Sequence, residues 1–359
     1  MKINQNKNVL IIAPHPHKNG GVSNYYTTLS QYLPSHFKFL FRGTKSNNPN
    51  IFHYLFDYFI TTIKLIFLLS TRNFKYILIN NSLSKFSLFR DLVYIIIIAL
   101  FRVKFILFFR GWNQDYGDNM NKFDKYIFSK FYLKAYKVIV LSSSFKNQLL
   151  NLGYDKEIFL ETTTVDENLL HYFTLDLKHQ LKNEVNLLFL SRVLMDKGIY
   201  ELLDAYNELK IKFNNINLTI CGDGSDLKDV IKYSIEKNIK DISFTGYIRG
   251  DEKIAIYKKS HIFILPSYTE GMPNSLLEAM AFGLPIITTY VGGIRDFFED
   301  GRMGYFIKEK SADDIIMKIE ELIIQPELRR NMSNFNFNYA KDKFYSSRVA
   351  QRFIKICQD

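Results

Sequence analysis

Short apolar runs, each followed by a stretch of helical character, recur along the chain, and this alternation limits it to parallel sheets built from βα units. The first run, Val9-Leu10-Ile11-Ile12-Ala13-Pro14, precedes a helical stretch from about Asn24 to Leu33. Lys104 to Phe109, Asn186 to Leu190, Leu218 to Ile220 and His261 to Pro266 are further strands of this kind. With 359 residues and 47% hydrophobic content, the chain can bury two cores. One set of units runs to about Val165, a polar and charged stretch follows from Asp166 to Glu184, and a new set starts at Val185 and runs to about Gln325. The expected class is therefore α/β, with doubly wound domains over 1–175 and 176–335 and a C-terminal helix over 336–359, amphipathic near Ala340 to Gln358.

Glu270-Gly271-Met272-Pro273-Asn274-Ser275-Leu276-Leu277-Glu278 places one carboxylate on a loop and a second inside a helix. Pro273 has a pre-set φ and lacks an N–H that a first turn would leave unpaired, so it fits the first helical position. Glu278 then lies roughly 7.5 Å further along the axis, at about 1.5 Å per residue. The N–H groups of Asn274 and Ser275 fall between the carboxylates, and a helix start of this kind favours phosphate. A diphosphate there leaves one carboxylate for the hydroxyls on each side, a sugar at one end and a ribose at the other. The strand before it puts the turn at the carboxyl edge of a sheet, where α/β proteins bind ligands. Two glutamates at this spacing are also compatible with plain solvated surface.

The residues around this pair, with Gly283-Leu284-Pro285-Ile286-Ile287-Thr288-Thr289, Gly292-Gly293-Ile294-Arg295-Asp296 and Gly304-Tyr305, resemble the signature of the retaining GT-B glycosyltransferases of the family 4 type, the glycosyl transferases group 1. The resemblance covers most of the chain and is strongest from Asn186 to Ile307. It implies two Rossmann-like domains facing across a cleft, the first on the acceptor side, the second binding the nucleotide sugar, and the tail crossing back to the first. By the same resemblance Glu270 sits by the donor sugar, with Gly271, Met272, Asn274 and Ser275 beside it, and Glu278 bonds the ribose. Arg192 and Lys197, after the strand Asn186 to Leu190, look like the cations that hold the donor diphosphate. Fixed charges of that sort stabilise a departing nucleoside diphosphate without reorganisation. Alone, an Arg and a Lys five apart are ordinary surface.

Gly222 belongs to Cys221-Gly222-Asp223-Gly224, by itself a weak turn signal, since Leu227 stands where a dinucleotide fingerprint has its third glycine, and the resemblance implies that it is donor-binding. Tyr247 and Ile248 fall where the family brings backbone to the base, although Tyr247 equally fits a core. Gly20 and Gly21 look like the loop facing the diphosphate from the first domain. Arg110-Gly111-Trp112-Asn113 departs from the pattern, because relatives commonly carry a histidine near the donor sugar there. Arg110 is no base at neutral pH and serves in that place as hydrogen-bond donor or charge stabiliser. Glu161 to Asp166 departs too, keeping Val165-Asp166 of the family's inter-domain turn.

No Asp-x-Asp triplet occurs, and His15 and His17, either side of Pro16, have no second cluster to complete a metal site. Metal independence is expected, with a UDP- or GDP-sugar as substrate and no cofactor. Cys221 and Cys357 fit no disulfide or metal framework, which suits a reducing cytoplasm, and the polar Met1 to Asn8 shows no secretory signal.

Charge is uneven along the chain. Residues 1–180 hold 22 Lys+Arg against 11 Asp+Glu, and residues 181–359 hold 25 of each. The basic half contains the apolar stretches Ile51 to Ser70 and Leu92 to Leu100, which read as helices with an apolar face, partly core. Asp57 and Lys64 in the first, and the brevity of the second, argue against either spanning a bilayer. A basic, aromatic-rich first domain suggests peripheral docking on the anionic inner face of the plasma membrane. No nucleic-acid motif is recognised.

The resulting expectation is transfer of a hexose, with retention, to a hydroxyl of a polyprenyl-linked glycan in bacterial surface polysaccharide biosynthesis (O-antigen, capsule or exopolysaccharide). A GT-B sugar-nucleotide epimerase or hydrolase, and a non-catalytic nucleotide-sugar-binding module, are the alternatives.

Overall fold

The computed structural model describes residues 8–16, 20–43, 50–176 and 184–358. It divides into two compact units, Met1–Thr163 with Val349–Asp359, and Thr164–Arg348. The sequence reading sets these boundaries at 175/176 and 336 instead. His17 and Asn19 lie outside the described residues.

The first unit runs β1 Asn8–Pro14, α1 Gly21–Leu29, β2 Phe37–Arg42, α2 Ile51–Thr71, β3 Phe74–Leu83, α3 Lys85–Leu100, β4 Lys104–Trp112, α4 Gln114–Asp118, α5 Lys122–Phe131, β5 Lys137–Val140, α6 Ser143–Asn151 and β6 Ile158–Leu160. Its sheet is parallel in the order β2-β1-β3-β4-β5-β6, reversing between β1 and β3. That is the flavodoxin-like doubly wound order. From Val349 the chain groups with this unit, where Phe353 lies against the rings of Tyr26 and Phe37, and Arg352 donates to both oxygens of Glu161 at 2.8 and 3.0 Å.

The second unit contains β7 Val185–Leu190, α7 Ile199–Lys212, β8 Ile216–Cys221, α8 Leu227–Glu236, β9 Ile242–Gly246, α9 Gly250–Lys259, β10 Ile262–Leu265, α10 Asn274–Ala281, β11 Ile286–Thr289, β12 Gly304–Ile307, α11 Ala312–Ile324 and α12 Pro326–Lys343, with α13 Ser346–Gln358 beginning in it. Its parallel order, β12-β11-β10-β7-β8-β9, is that of the dinucleotide-binding sheets, reversing between β7 and β10. Ile262, Phe263, Ile264 and Leu265 are all fully buried, so β10 is apolar throughout, as a strand covered on both faces must be.

Three expectations need correcting. Pro273, with ψ 118°, is the residue before α10 rather than its first, because its extended ψ keeps it outside the helical turn. The tail is not one helix: the N–H of Val165 bonds the carbonyl of Phe344, and the N–H of Ser346 bonds the carbonyl of Val165, so the backbone between α12 and α13 pairs with Val165. Finally, Leu92 to Leu100 is only the second half of α3, whose start is capped by Ser84. The longer apolar stretch forms α2, in which Asn50 caps the start and only Thr61, Leu65 and Leu69 are buried. At 21 residues α2 is long and apolar enough, by length and composition, to cross a membrane, despite Asp57 and Lys64.

Candidate functional site

The second sheet's reversal point organises the site. The chain leaves β7 at Ser191-Arg192 and leaves β10 at Pro266, so both exits lie at the carboxyl edge where the strand order turns. After β7, Met195–Lys197 forms a single 3₁₀ turn ended by Gly198 at φ +69°. A Cβ on Gly198 would sit 2.2 Å from the carbonyl oxygen of Pro266, so glycine here lets the two exit loops touch. That contact aims Lys197 at the second loop. Its Nζ donates to Ser267 Oγ at 3.2 Å, to the carbonyl of Thr269 at 3.0 Å and to Glu270 Oε1 at 2.9 Å. The side chains of Lys197 and Glu270 are 7% and 12% exposed, so this is a nearly buried ion pair. Arg192 is exposed and is not part of it.

The loop carrying Glu270 is fastened from behind. Gly293 N–H donates to the carbonyl of Gly271 at 2.6 Å, and a Cβ on Gly292, at φ +55°, would lie 2.0 Å from the carbonyl oxygen of Glu270. Gly271 itself faces open space. Gly292→Ala is expected to lower the melting temperature of the protein clearly, and Gly271→Ala to leave it nearly unchanged. Matched melting curves for the two would show that the close approach does not hold this loop.

Glu278 lies in α10 with partners of its own. Lys253 Nζ reaches its two oxygens at 2.8 and 3.0 Å, and the Tyr257 hydroxyl lies 3.0 Å from Oε2. Tyr257 is fully buried and stacked on Phe282. Burial, and then the neighbouring Glu278 carboxylate, push its pKa well above that of an ordinary tyrosine, so the phenol stays protonated and donates. Lys253 and Tyr257 are four apart on α9 and share a face. They were missed in the sequence: the i,i+4 spacing is visible there, but not which face meets α10.

The other expected residues fall as follows. Asn274 and Ser275 open α10, and Met272 is buried beside its start. Gly222, at φ +142°, is explained by backbone packing, since a Cβ would lie 1.8 Å from the carbonyl oxygen of Ser191. Tyr247 is exposed, not core, and Ile248 is buried. Cys221 and Cys357 are free and buried. Among the described residues, no group of three or more His, Cys, Asp or Glu gathers as a metal site.

Gly20, Gly21 and Arg110 belong to the first unit. Gly20 faces open space before α1. At the end of β4, the Arg110 guanidinium lies 3.9 Å from the Tyr25 ring centroid and 4.9 Å from that of Phe108. Its Nε and Nη1 are buried without a hydrogen-bond partner, and burial lowers its pKa.

Residues 175–338, the segment containing both carboxylates, match the family model described as glycosyl transferases group 1. An uncharacterized glycosyltransferase of Methanocaldococcus jannaschii is 31% identical over 65% of this chain and 62% of its own length. The capsular polysaccharide biosynthesis glycosyltransferase CapM of Staphylococcus aureus is 26% identical over 59% and 55%. The N,N'-diacetylbacillosaminyl-diphospho-undecaprenol alpha-1,3-N-acetylgalactosaminyltransferase of Campylobacter jejuni is 27% identical over 62% and 60%. The chain thus spans about three fifths of the length of these curated relatives. Among solved structures, sucrose-phosphate synthase from Thermosynechococcus elongatus superposes with a TM-score of 0.78 at 18% identity, over 98% of both chains. Anabaena HepE, solved in complex with UDP and glucose, gives 0.69 at 15% identity over 98% and 99%. The chain has the α/β fold of the GT-B glycosyltransferases, and over residues 175–338 it carries the sequence pattern of the glycosyl transferases group 1.

Proposed function

We propose that this chain is a retaining, metal-independent glycosyltransferase of the family 4 type, moving a hexose from a UDP- or GDP-sugar to a hydroxyl of a polyprenyl-linked glycan. The observation that carries this reading is the framing of the α10 start by two carboxylates, each held by its own lysine. A diphosphate at Asn274 and Ser275 would lie against unpaired backbone N–H groups, with Arg192 free to add charge as the leaving group departs. Lys197 holds Glu270 toward the transferred sugar, and Lys253 with Tyr257 holds Glu278 toward the ribose hydroxyls. Arg110, with unpaired N–H groups, would serve as a hydrogen-bond donor. Gly222, Gly271, Met272, Tyr247 and Ile248 of the second unit would line the donor.

HepE was solved with UDP and glucose, which supports a uridine donor. The named roles of CapM and the Campylobacter transferase support bacterial surface polysaccharide as the pathway class and a lipid-linked acceptor. The basic first half supports work from the cytoplasm against the anionic inner face of the plasma membrane.

A thermal-shift panel of UDP, GDP, ADP and CMP, with their sugars, tests the donor. A ligand that binds only the folded state raises the melting temperature by mass action, by about 2.7 kcal/mol of stability at a hundredfold excess over Kd. One nucleotide series should shift the wild type and not Glu278→Ala. No shift with any of them would overturn the donor site. Turnover of the donor at a rate indifferent to added glycan would instead make the protein an epimerase or hydrolase.

A further inference from the structure

We infer that the outer face of α2, continued across α3 and α5, is a docking surface for an anionic lipid bilayer, with α2 lying in the plane of the interface. This deepens the membrane reading proposed above by naming the surface that makes the contact.

A helix face of large apolar side chains requires apolar cover. In α2 only the stripe of Thr61, Leu65 and Leu69 is buried, while Phe52, Leu55, Phe56, Phe59, Ile63 and Phe67 are exposed, Phe52 at 74%. These exposed residues occupy the side opposite the buried stripe. The neighbouring helices extend the patch. Tyr58 donates to the carbonyl of Arg90 at 2.7 Å and packs on Tyr94, joining α2 to α3. Phe89 stacks on Phe123, joining α3 to α5. Phe86 and Phe123 are 76% and 62% exposed, and Tyr126 is exposed beside them. A contiguous face of large apolar and aromatic side chains on one compact unit marks an interaction site.

Charge selects the occupant. On α2, α3 and α5, Lys64, Lys85, Lys122, Lys125 and Lys130 are exposed. The acids on these helices are withdrawn: Asp91 is buried against Arg42 and Arg90, Asp124 is buried and accepts from the Tyr116 hydroxyl, and Asp57 is half-buried. Exposed aromatics on helices that also expose lysines suit acyl chains beneath anionic headgroups, where each lysine near the surface adds about 1 kcal/mol. A second copy of the chain would set lysines against lysines. Crossing the bilayer would require α2 to leave α3 and to uncover Leu65 and Leu69.

The test is flotation of the full chain with phosphatidylcholine vesicles, with and without phosphatidylglycerol. The wild type should float with the anionic vesicles, less so as salt is raised. Phe52→Ser/Phe56→Ser/Phe59→Ser should bind about tenfold less or weaker, and Lys122→Gln/Lys125→Gln should bind less with a flatter salt dependence. All should melt alike and keep the same UDP-induced shift, since the substitutions are on the surface of the first unit. Flotation unaffected by the serine substitutions would overturn the inference. So would a dimer that the serine variant converts to monomer, or binding that survives an alkaline carbonate wash, which would mean crossing. A wild type that floats but gives no shift with any nucleotide leaves the docking face standing and removes the donor-site reading.

Discussion

Replacing Lys197 with Met will lower both stability and transfer, because this ammonium is the common partner of Ser267, Thr269 and Glu270. Methionine matches the length of the stem but donates nothing, which leaves the Glu270 carboxylate nearly buried beside a vacated partner. Removing one member of a buried pair costs about 3 kcal/mol or more, and for a unit of this size that is a fall of roughly 10 °C in Tm. Transfer at a temperature where the variant is folded should fall by about a hundredfold, the scale of loss when a group at the reacting centre is misplaced by about 1 Å. Glu270→Gln keeps shape and an acceptor for Lys197, so it should melt closer to wild type while losing most of its transfer. This makes it a cleaner probe than Glu270→Ala. Wild-type melting of Lys197→Met would show that the pair carries no stability, and wild-type turnover would remove Lys197 from the mechanism.

Glu278→Gln should raise the donor KM with a smaller change in kcat. The carboxylate is proposed to bond the ribose in ground and transition states alike, and loss of such uniform binding appears in KM. A hydrogen bond to a charged group contributes about 1.5–3 kcal/mol, so the rise should be roughly tenfold to a hundredfold. The amide also turns an N–H₂ toward Lys253 or Tyr257, both of which are donors to Glu278. Lys253→Met should show the same KM pattern at smaller size, since it removes the orienting partner and spares the carboxylate. Equal KM for wild type and Glu278→Gln, measured by initial rates over a range of donor concentration, would place the ribose elsewhere.

The alternation of β-strand and helix was legible because its signal is local. A strand covered on both faces must be apolar throughout, as β10 is, and the turn chemistry around it is written in Pro and Gly. The loop position of Glu270 and the helical position of Glu278 followed from the same local rules, although Pro273 proved to precede the helix. The order of the two sheets was not legible at that level. One reverses between β1 and β3, the other between β7 and β10, and strand order depends on which crossover packs where.

The glycines divide along the same line. Gly222 reads as a turn and, by the resemblance, as donor-binding, and the carbonyl of Ser191 lies where its Cβ would be. Nothing within a few residues of Gly222 announces a neighbour that arrives from another strand.

By itself, then, the sequence determined the α/β class, the place of each carboxylate on its own element, and the basic, aromatic character of the first half. Tertiary structure decided the partners: Lys197 reaches Glu270 from 73 residues away and Lys253 reaches Glu278 from 25. It also decided that α2 covers only one stripe and leaves the opposite face outward. Propensity and apolar periodicity act over a few residues along the chain, whereas ion pairing and burial depend on which distant surfaces the packed sheets bring together.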